Sequence, residues 1–300
     1  MQSDFTVVIA TRNRPVLLDR AVRSTWISHD PRPAVIVVDD CSTTDVSIAM
    51  RELDSDIVCL RNSTRSGPGV SRNAGIARAN TRFVVVLDDD DMLVPDALAT
   101  IDRQISALAN ASEYPCLQFA RSNGSLDRDF GIVGLADFVT GKIHGDFTPV
   151  VQRDVFLSEN LAYPDSIVGG EHLLWFEVAK RFGIPTWSTV VTILGTEAPT
   201  RLCSVANQLE RPEDYAAMQE KCLQAFGPDI MSLSRSYYRK RCVGAATYRL
   251  IAGDRRAARG HIERALRNGI TPALFWAWAA SWLPGSLVRQ LFRYYRCFTM

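Results

Sequence analysis

Arg82-Phe-Val-Val-Val-Leu-Asp-Asp-Asp-Asp91 joins an unbroken apolar run directly to four consecutive aspartates. The run is short and β-branched, the pattern of a strand buried on both faces rather than one with a wet side. Four carboxylates crowded at the end of such a strand cost several kcal/mol, if it is buried, unless a cation compensates them. The bland alternative is a solvated acidic loop in which Asp91 or Asp96 caps the following helix.

Working outward toward the N-terminus, the same grammar recurs. Phe5-Thr-Val-Val-Ile-Ala10 stops at Thr11-Arg-Asn-Arg-Pro15 and is followed by a helical spacing of Leu17, Leu18, Ala21 and Val22. Ala34-Val-Ile-Val-Val38 stops at Asp39-Asp40, and a weaker helical stretch covers Val46 to Leu53. Ile57 to Leu60 reads as a third strand and Val70 to Ala79 as a helix, so the aspartate-tipped run is the fourth strand. Apolar strands alternating with helices predict a parallel sheet covered on both faces, with ligands at the carboxyl ends of its strands. No Gly-x-Gly-x-x-Gly follows the first strand and no Gly-x-x-x-x-Gly-Lys occurs, which excludes a Rossmann dinucleotide site and a P-loop.

The sequence resembles the family 2 glycosyltransferases. The resemblance rests on Val7-Val-Ile-Ala-Thr-Arg-Asn-Arg14, Val37-Val-Asp-Asp-Cys-Ser-Thr-Thr-Asp45, Gly67 with Ser71-Arg-Asn-Ala-Gly-Ile-Ala77, and Leu87-Asp-Asp-Asp-Asp91 with Pro95-Asp96, in that order, and covers roughly residues 4 to 200. It implies an α/β GT-A fold and transfer of a sugar, with inversion, from a nucleotide diphosphate donor such as a UDP-sugar. It also implies that Thr11 and Arg12 flank the nucleotide, that Asp40 accepts from the base, and that Arg72 faces the nucleotide. Asp88 and Asp90 match the family's Asp-x-Asp and would hold Mn²⁺ or Mg²⁺, with Asp88 and Asp89 also close to the nucleotide. Oxygen donors suit those ions, and a divalent ion stabilises the charge that develops on a diphosphate leaving group.

Near residue 170 the family carries a Glu-Asp pair whose aspartate takes the acceptor's proton. This chain reads Gly169-Gly-Glu-His-Leu-Leu-Trp-Phe176, so His172 stands where the aspartate is expected. Glu171 and His172 are together the catalytic pair, and the residues alone leave open which of them removes the proton. An imidazole with a pKa of about 6.5 is a competent base, whereas a glutamate near 4.3 needs desolvation to match it. Arg201, after Thr196-Glu-Ala-Pro-Thr200, falls where the family has a loop that could close on the diphosphate.

The remainder divides the charge. The net charge is +1, yet residues 235–300 carry +11 and the first 234 carry −10. From about Arg211 the pattern is helical, with Ala245 to Asp254 and Ala257 to Leu266 as a helical hairpin. Phe275, Trp276, Trp278 and Trp282, then Tyr294 and Tyr295 among arginines, have the composition of a helix lying in a membrane interface. The expected division is a catalytic domain over 1–205, with a nucleotide-sugar half to about 110 and an acceptor half over 111–205, and a helical extension over 206–300. The expected partners are a nucleotide-sugar donor, a glycan or lipid-linked acceptor and an anionic membrane surface, with no nucleic acid, since no binding motif accompanies the charge. The longest apolar run, Ala273 to Leu283, is too short to span a bilayer. The seven scattered cysteines read as reduced thiols, and no export signal is read at the N-terminus, so the expected location is the cytoplasm or the inner face of the membrane. A sugar nucleotidyltransferase and a non-catalytic nucleotide-sugar binder are the competing readings.

Overall fold

The computed structural model describes residues 3–27, 29–198 and 204–299, with side chains as far as Tyr294. The chain forms two compact units, Met1–Pro199 and Thr200–Met300.

The first unit opens with β1 (Phe5–Thr11), α1 (Pro15–Ser24), β2 (Ala34–Asp39), α2 (Ser47–Leu53), β3 (Val58–Arg61), α3 (Pro68–Arg78) and β4 (Phe83–Asp88). Strands β3-β2-β1-β4 are adjacent and parallel. Alternation along β1 explains the layers. Val7 and Ile9 point into a core with Leu18, Val37, Val85 and Leu87, while Val8 points into a second core with Val38, Ile76, Val84 and Val86. Both faces are covered, which is why the strands read as continuous apolar runs.

The sheet does not stay parallel. The chain continues as β5 (Met92–Leu93), α4 (Ala97–Ser106), β6 (Cys116–Arg121), β7 (Ser125–Leu126), β8 (Phe130–Val133), α5 (Leu135–Thr140), β9 (Ile143–His144), β10 (Phe147–Gln152), α6 (Arg153–Ser158), α7 (His172–Arg181) and β11 (Ile184–Ile193). Strand β10 inserts antiparallel between β4 and β6, and β11 runs parallel to β6, so beyond the four parallel strands expected from the sequence the sheet is mixed. The reason is local. The segment 116–152 meanders through short strands instead of crossing over by helices, and antiparallel neighbours need no long crossover.

Register brings the strand ends to one edge. Thr11 pairs with Asp39, Ala10 with Asp88, and Asp39 with Arg61. The loop before α3 is fixed at Gly67, whose φ of 93° suits glycine and whose Cβ, were there one, would lie 2.2 Å from the Ser166 carbonyl oxygen.

The second unit is helical: α8 (Val205–Glu210), α9 (Pro212–Leu233), α10 (Arg235–Ala252), α11 (Arg255–Leu266), α12 (Pro272–Ala280) and α13 (Gly285–Thr299). Helices α10 and α11 form the expected hairpin, with Gly253 left-handed at φ 89° and Asp254 accepting from the Ala257 N–H to start the next helix. Their core contains Leu209, Leu223, Leu250, Ile262, Leu274 and Val288. Half-buried Glu220 accepts from Arg249 Nε at 2.8 Å and pairs with His261 at 2.9 Å.

In α12 the residues Leu274, Ala277 and Ser281 just after it are buried at helical spacing, while Phe275, Trp276, Trp278 and Trp282 are exposed. Arg259 stacks on Trp282, 4.3 Å from the ring centre. No helix among the described residues is long and apolar enough to cross a membrane.

Candidate functional site

The four aspartates are not a solvated loop. Asp89 and Asp91 are buried, Asp88 and Asp90 half-buried, and each is met by a guanidinium or the backbone. Thr11 Oγ1 donates to Asp89 at 2.8 Å and Arg14 Nη1 donates to its other oxygen at 2.7 Å. Arg14 stands 3.5 Å from Asp90, beyond ordinary hydrogen-bonding distance. Arg20 donates to the Asp90 carbonyl at 3.0 Å, and the Gly195 N–H donates to Asp91 at 2.9 Å. A Cβ on Gly195 would lie 1.8 Å from the Asp90 carbonyl oxygen, so glycine is required there.

Two arginines organise the centre. Arg72, on α3, donates to Asp88 at 2.6 Å and to Glu171 at 2.6 Å, and lies over the Tyr163 ring. Arg121, at the end of β6, donates to the other Asp88 oxygen at 2.7 Å and to Asp91 at 2.8 Å. Burial alone would push Asp88 up, but Arg121 and Arg72 outweigh it and hold the carboxyl well below the usual carboxylate range. For Asp91 burial prevails over Arg121, and its pKa is pushed up to about 7. Glu171 is likewise opposed by burial, yet Arg72 and the chain's own N–H lower it. Its Oε2 accepts from the Gly170 N–H at 3.0 Å, so both carboxylate oxygens are engaged.

The residues expected from sequence are brought to one edge, though not all with a face open to ligand. Arg72, Asp88 and Glu171 line a cavity of about 310 Å³. Thr11 is buried and spends its hydroxyl on Asp89. Asp40 is buried and accepts from the Ser66 and Gly67 N–H groups at 2.7 and 2.9 Å and from Asn62 at 2.9 Å, so its carboxylate organises the loop before α3. Half-buried Arg12 has a buried Nε with no hydrogen-bond partner among the described residues. His172 opens α7 beside Glu171 with its ring 5.8 Å from Phe176, edge-on, and is not part of the cavity lining. Arg201 lies outside the described residues.

Arg121, Arg14, Gln118 and Tyr163 carry no role in the sequence reading. Arg121 had a usable signal, because Cys116-Leu-Gln-Phe-Ala-Arg121 repeats the pattern of an apolar strand ending in charge. Gln118 and Tyr163 had none, since only the fold turns them toward the cavity.

Donor chemistry bears on the expected cation. Both oxygens of Asp88 are taken by guanidinium groups, whereas among the described residues the Asp90 carboxylate has only the long contact with Arg14. No three His, Cys, Asp or Glu side chains converge as a cage among the described residues. Asp90 therefore fits an ion carried largely by phosphate oxygens, as Mg²⁺ and Mn²⁺ commonly are. Asp88 fits less well, because it would have to leave an arginine.

The profile of the family described as "Glycosyl transferase family 2" matches residues 6–124. Over those residues, about two fifths of the chain, the protein is similar to that family. It is 29% identical over 188 residues, 59% of this chain and 60% of the relative, to the GalNAc(5)-diNAcBac-PP-undecaprenol beta-1,3-glucosyltransferase of Campylobacter jejuni. It is 38% identical to the succinoglycan biosynthesis protein ExoO of Rhizobium meliloti, over 57% of this chain and 54% of that one. The chain thus spans 54 to 60% of the length of these two relatives. The fold is shared more widely. The crystal structure of S. aureus TarS 1-349 in complex with UDP-GlcNAc superposes with a TM-score of 0.65 at 15% identity, over 99% of this chain and 92% of that one. The mannosyltransferase PcManGT from Pyrobaculum calidifontis, solved with GDP-Man and Mn²⁺, gives 0.56 at 16% identity, over 98% and 85%. The mixed α/β unit shares the GT-A fold of these neighbours.

Proposed function

We propose that the protein is an inverting glycosyltransferase that moves a sugar from a nucleotide diphosphate donor, a UDP-sugar, to a hydroxyl of a glycan or lipid-linked acceptor. The observation that carries this reading is the Asp88–Arg72–Glu171 chain of contacts along one wall of a cavity at the carboxyl edge of the sheet. A transferred sugar must sit between a group that holds the leaving diphosphate and a group that handles the acceptor's proton, and this wall spans both. The names of the relatives, one acting on an undecaprenol diphosphate-linked glycan, support the class of acceptor.

In this mechanism the acceptor oxygen forms a bond to the anomeric carbon from one face while the bond to the diphosphate oxygen breaks on the other. The proton leaves the acceptor hydroxyl for the Glu171–His172 pair, of which Glu171 lines the cavity and His172 adjoins it at the start of α7. Glu171 is the poorer acceptor because both of its oxygens are occupied and Arg72 lowers its basicity. Its task is to hold Arg72, which with Arg121 keeps Asp88 ionised and oriented. A divalent cation at Asp90, when bound, supplies positive charge to the departing diphosphate.

The exposed Phe275, Trp276, Trp278 and Trp282, flanked by exposed Arg255, Arg256, Arg259 and Arg267, are proposed to rest on an anionic membrane surface, where a lipid-linked acceptor would be met. UDP release across donors, with and without Mn²⁺, tests the activity. No turnover with any donor and acceptor, combined with retained nucleotide-sugar binding, would favour the non-catalytic reading.

A further inference from the structure

The cavity contains buried polar atoms that have no partner among the described residues. Gln118 on β6 and Tyr163 before α7 are each 3% exposed, and Arg121 is 9% exposed. Gln118 Oε1, the Tyr163 hydroxyl and Arg121 Nε have no hydrogen-bond partner among the described residues, and all three side chains line the same cavity as Asp88 and Glu171. Buried groups of this kind are rarely left unsatisfied, because each orphan costs roughly 1–3 kcal/mol. Three in one cavity mark a place where a polar ligand completes the protein.

The chemistry of the three narrows the ligand. The amide oxygen only accepts, the guanidinium nitrogen only donates, and the phenol does either. Burial pushes the Tyr163 phenol up, so it keeps its proton. A ligand that satisfies all three must offer donors and acceptors on one small body, which a ring of hydroxyls does and a phosphate, having no donor when ionised, does not. Trp175, Phe138 and Phe147 add apolar walls to the same cavity, suited to the C–H faces of such a ring.

We infer that Gln118, Tyr163 and Arg121 read the hydroxyl groups of the transferred sugar, and that Gln118 and Tyr163 set which sugar the protein accepts. The inference rests on the proposed glycosyl transfer. It deepens that reading by assigning the sugar's hydroxyls to residues outside the short motifs that carry the sequence resemblance. A site built to bond a hydroxyl discriminates strongly against an analogue lacking it, since the protein's own polar group is then stranded.

The test compares the wild type with Tyr163→Phe and Gln118→Leu, both close in volume to the originals. Calorimetry would measure affinity for UDP, GDP and dTDP, then for hexose conjugates of the best nucleotide and their monodeoxy analogues. Each variant is expected to keep nucleotide affinity within about twofold and to lose about tenfold toward the preferred sugar conjugate, the equivalent of one buried hydrogen bond. The deoxy analogue lacking the hydroxyl that Tyr163 reads should be penalised by the wild type and not by Tyr163→Phe, a pattern a merely structural role would not produce. Unchanged discrimination in both variants, with a wild type that prefers one sugar, overturns this inference and leaves glycosyl transfer standing. A wild type to which no sugar adds or alters affinity beyond its nucleotide overturns both.

Discussion

At the scale of single residues, the departure from Glu-Asp to Glu171-His172 decides the expected pH behaviour. A histidine base works only when neutral, so turnover should fall on the acid side as the imidazole takes up a proton. His172→Gln should lower kcat about 10²- to 10³-fold and remove that limb of the profile. A profile that stays flat down to pH 5 and is unaltered in His172→Gln would instead make Glu171 the base, since its lowered pKa keeps it ionised throughout that range. The cation is tested the same way. Asp90→Asn should cost about 10²-fold at fixed Mn²⁺ and raise the Mn²⁺ concentration needed for half-activity, whereas Asp88→Asn should also disturb Arg72 and Arg121 and show as a lower melting temperature. Equal metal dependence in the wild type and Asp90→Asn would remove Asp90 as the ligand.

At the scale of elements, the loop between β3 and α3 shows how a carboxylate organises backbone. Asp40 collects the N–H groups of Ser66 and Gly67, and Gly67 then enters α3 with a left-handed φ against the Ser166 carbonyl. Gly67→Ala should therefore destabilise the protein by about 2 kcal/mol or more, from φ strain together with the 2.2 Å approach. Thermal unfolding reads this directly, and a variant with an unchanged melting temperature would contradict the geometry. Because α3 carries Arg72, the same substitution should weaken nucleotide binding.

At the scale of the whole molecule, charge and aromatic surface are segregated along the chain. The acidic excess lies in the first 234 residues and the basic excess of +11 in the last 66. Removing residues 271–300 should abolish sedimentation with vesicles rich in anionic lipid while leaving nucleotide-sugar affinity within about twofold. Binding of the full chain should weaken between low salt and about 0.5 M, where the Debye length shrinks to a few ångströms. Vesicle binding that persists in the truncated chain would place the membrane contact elsewhere.

The strand–loop–helix order of β1 to β4, the acids at their carboxyl ends and the helical hairpin around Gly253 were legible in the sequence, because each depends on local periodicity and on turn residues at short range. The mixed sheet was not, since β10 pairs with β4 across more than sixty residues and no local pattern encodes that partner. Nor could the sequence say that Asp88 would be clamped by both Arg72 and Arg121, or that Gln118 and Tyr163 would face the same cavity. Local chemistry determined which groups could do the work of the proposed transfer. Only the tertiary structure, by removing those groups from water and setting charges within hydrogen-bonding distance, decided which of them are committed to one another and which are left for a ligand.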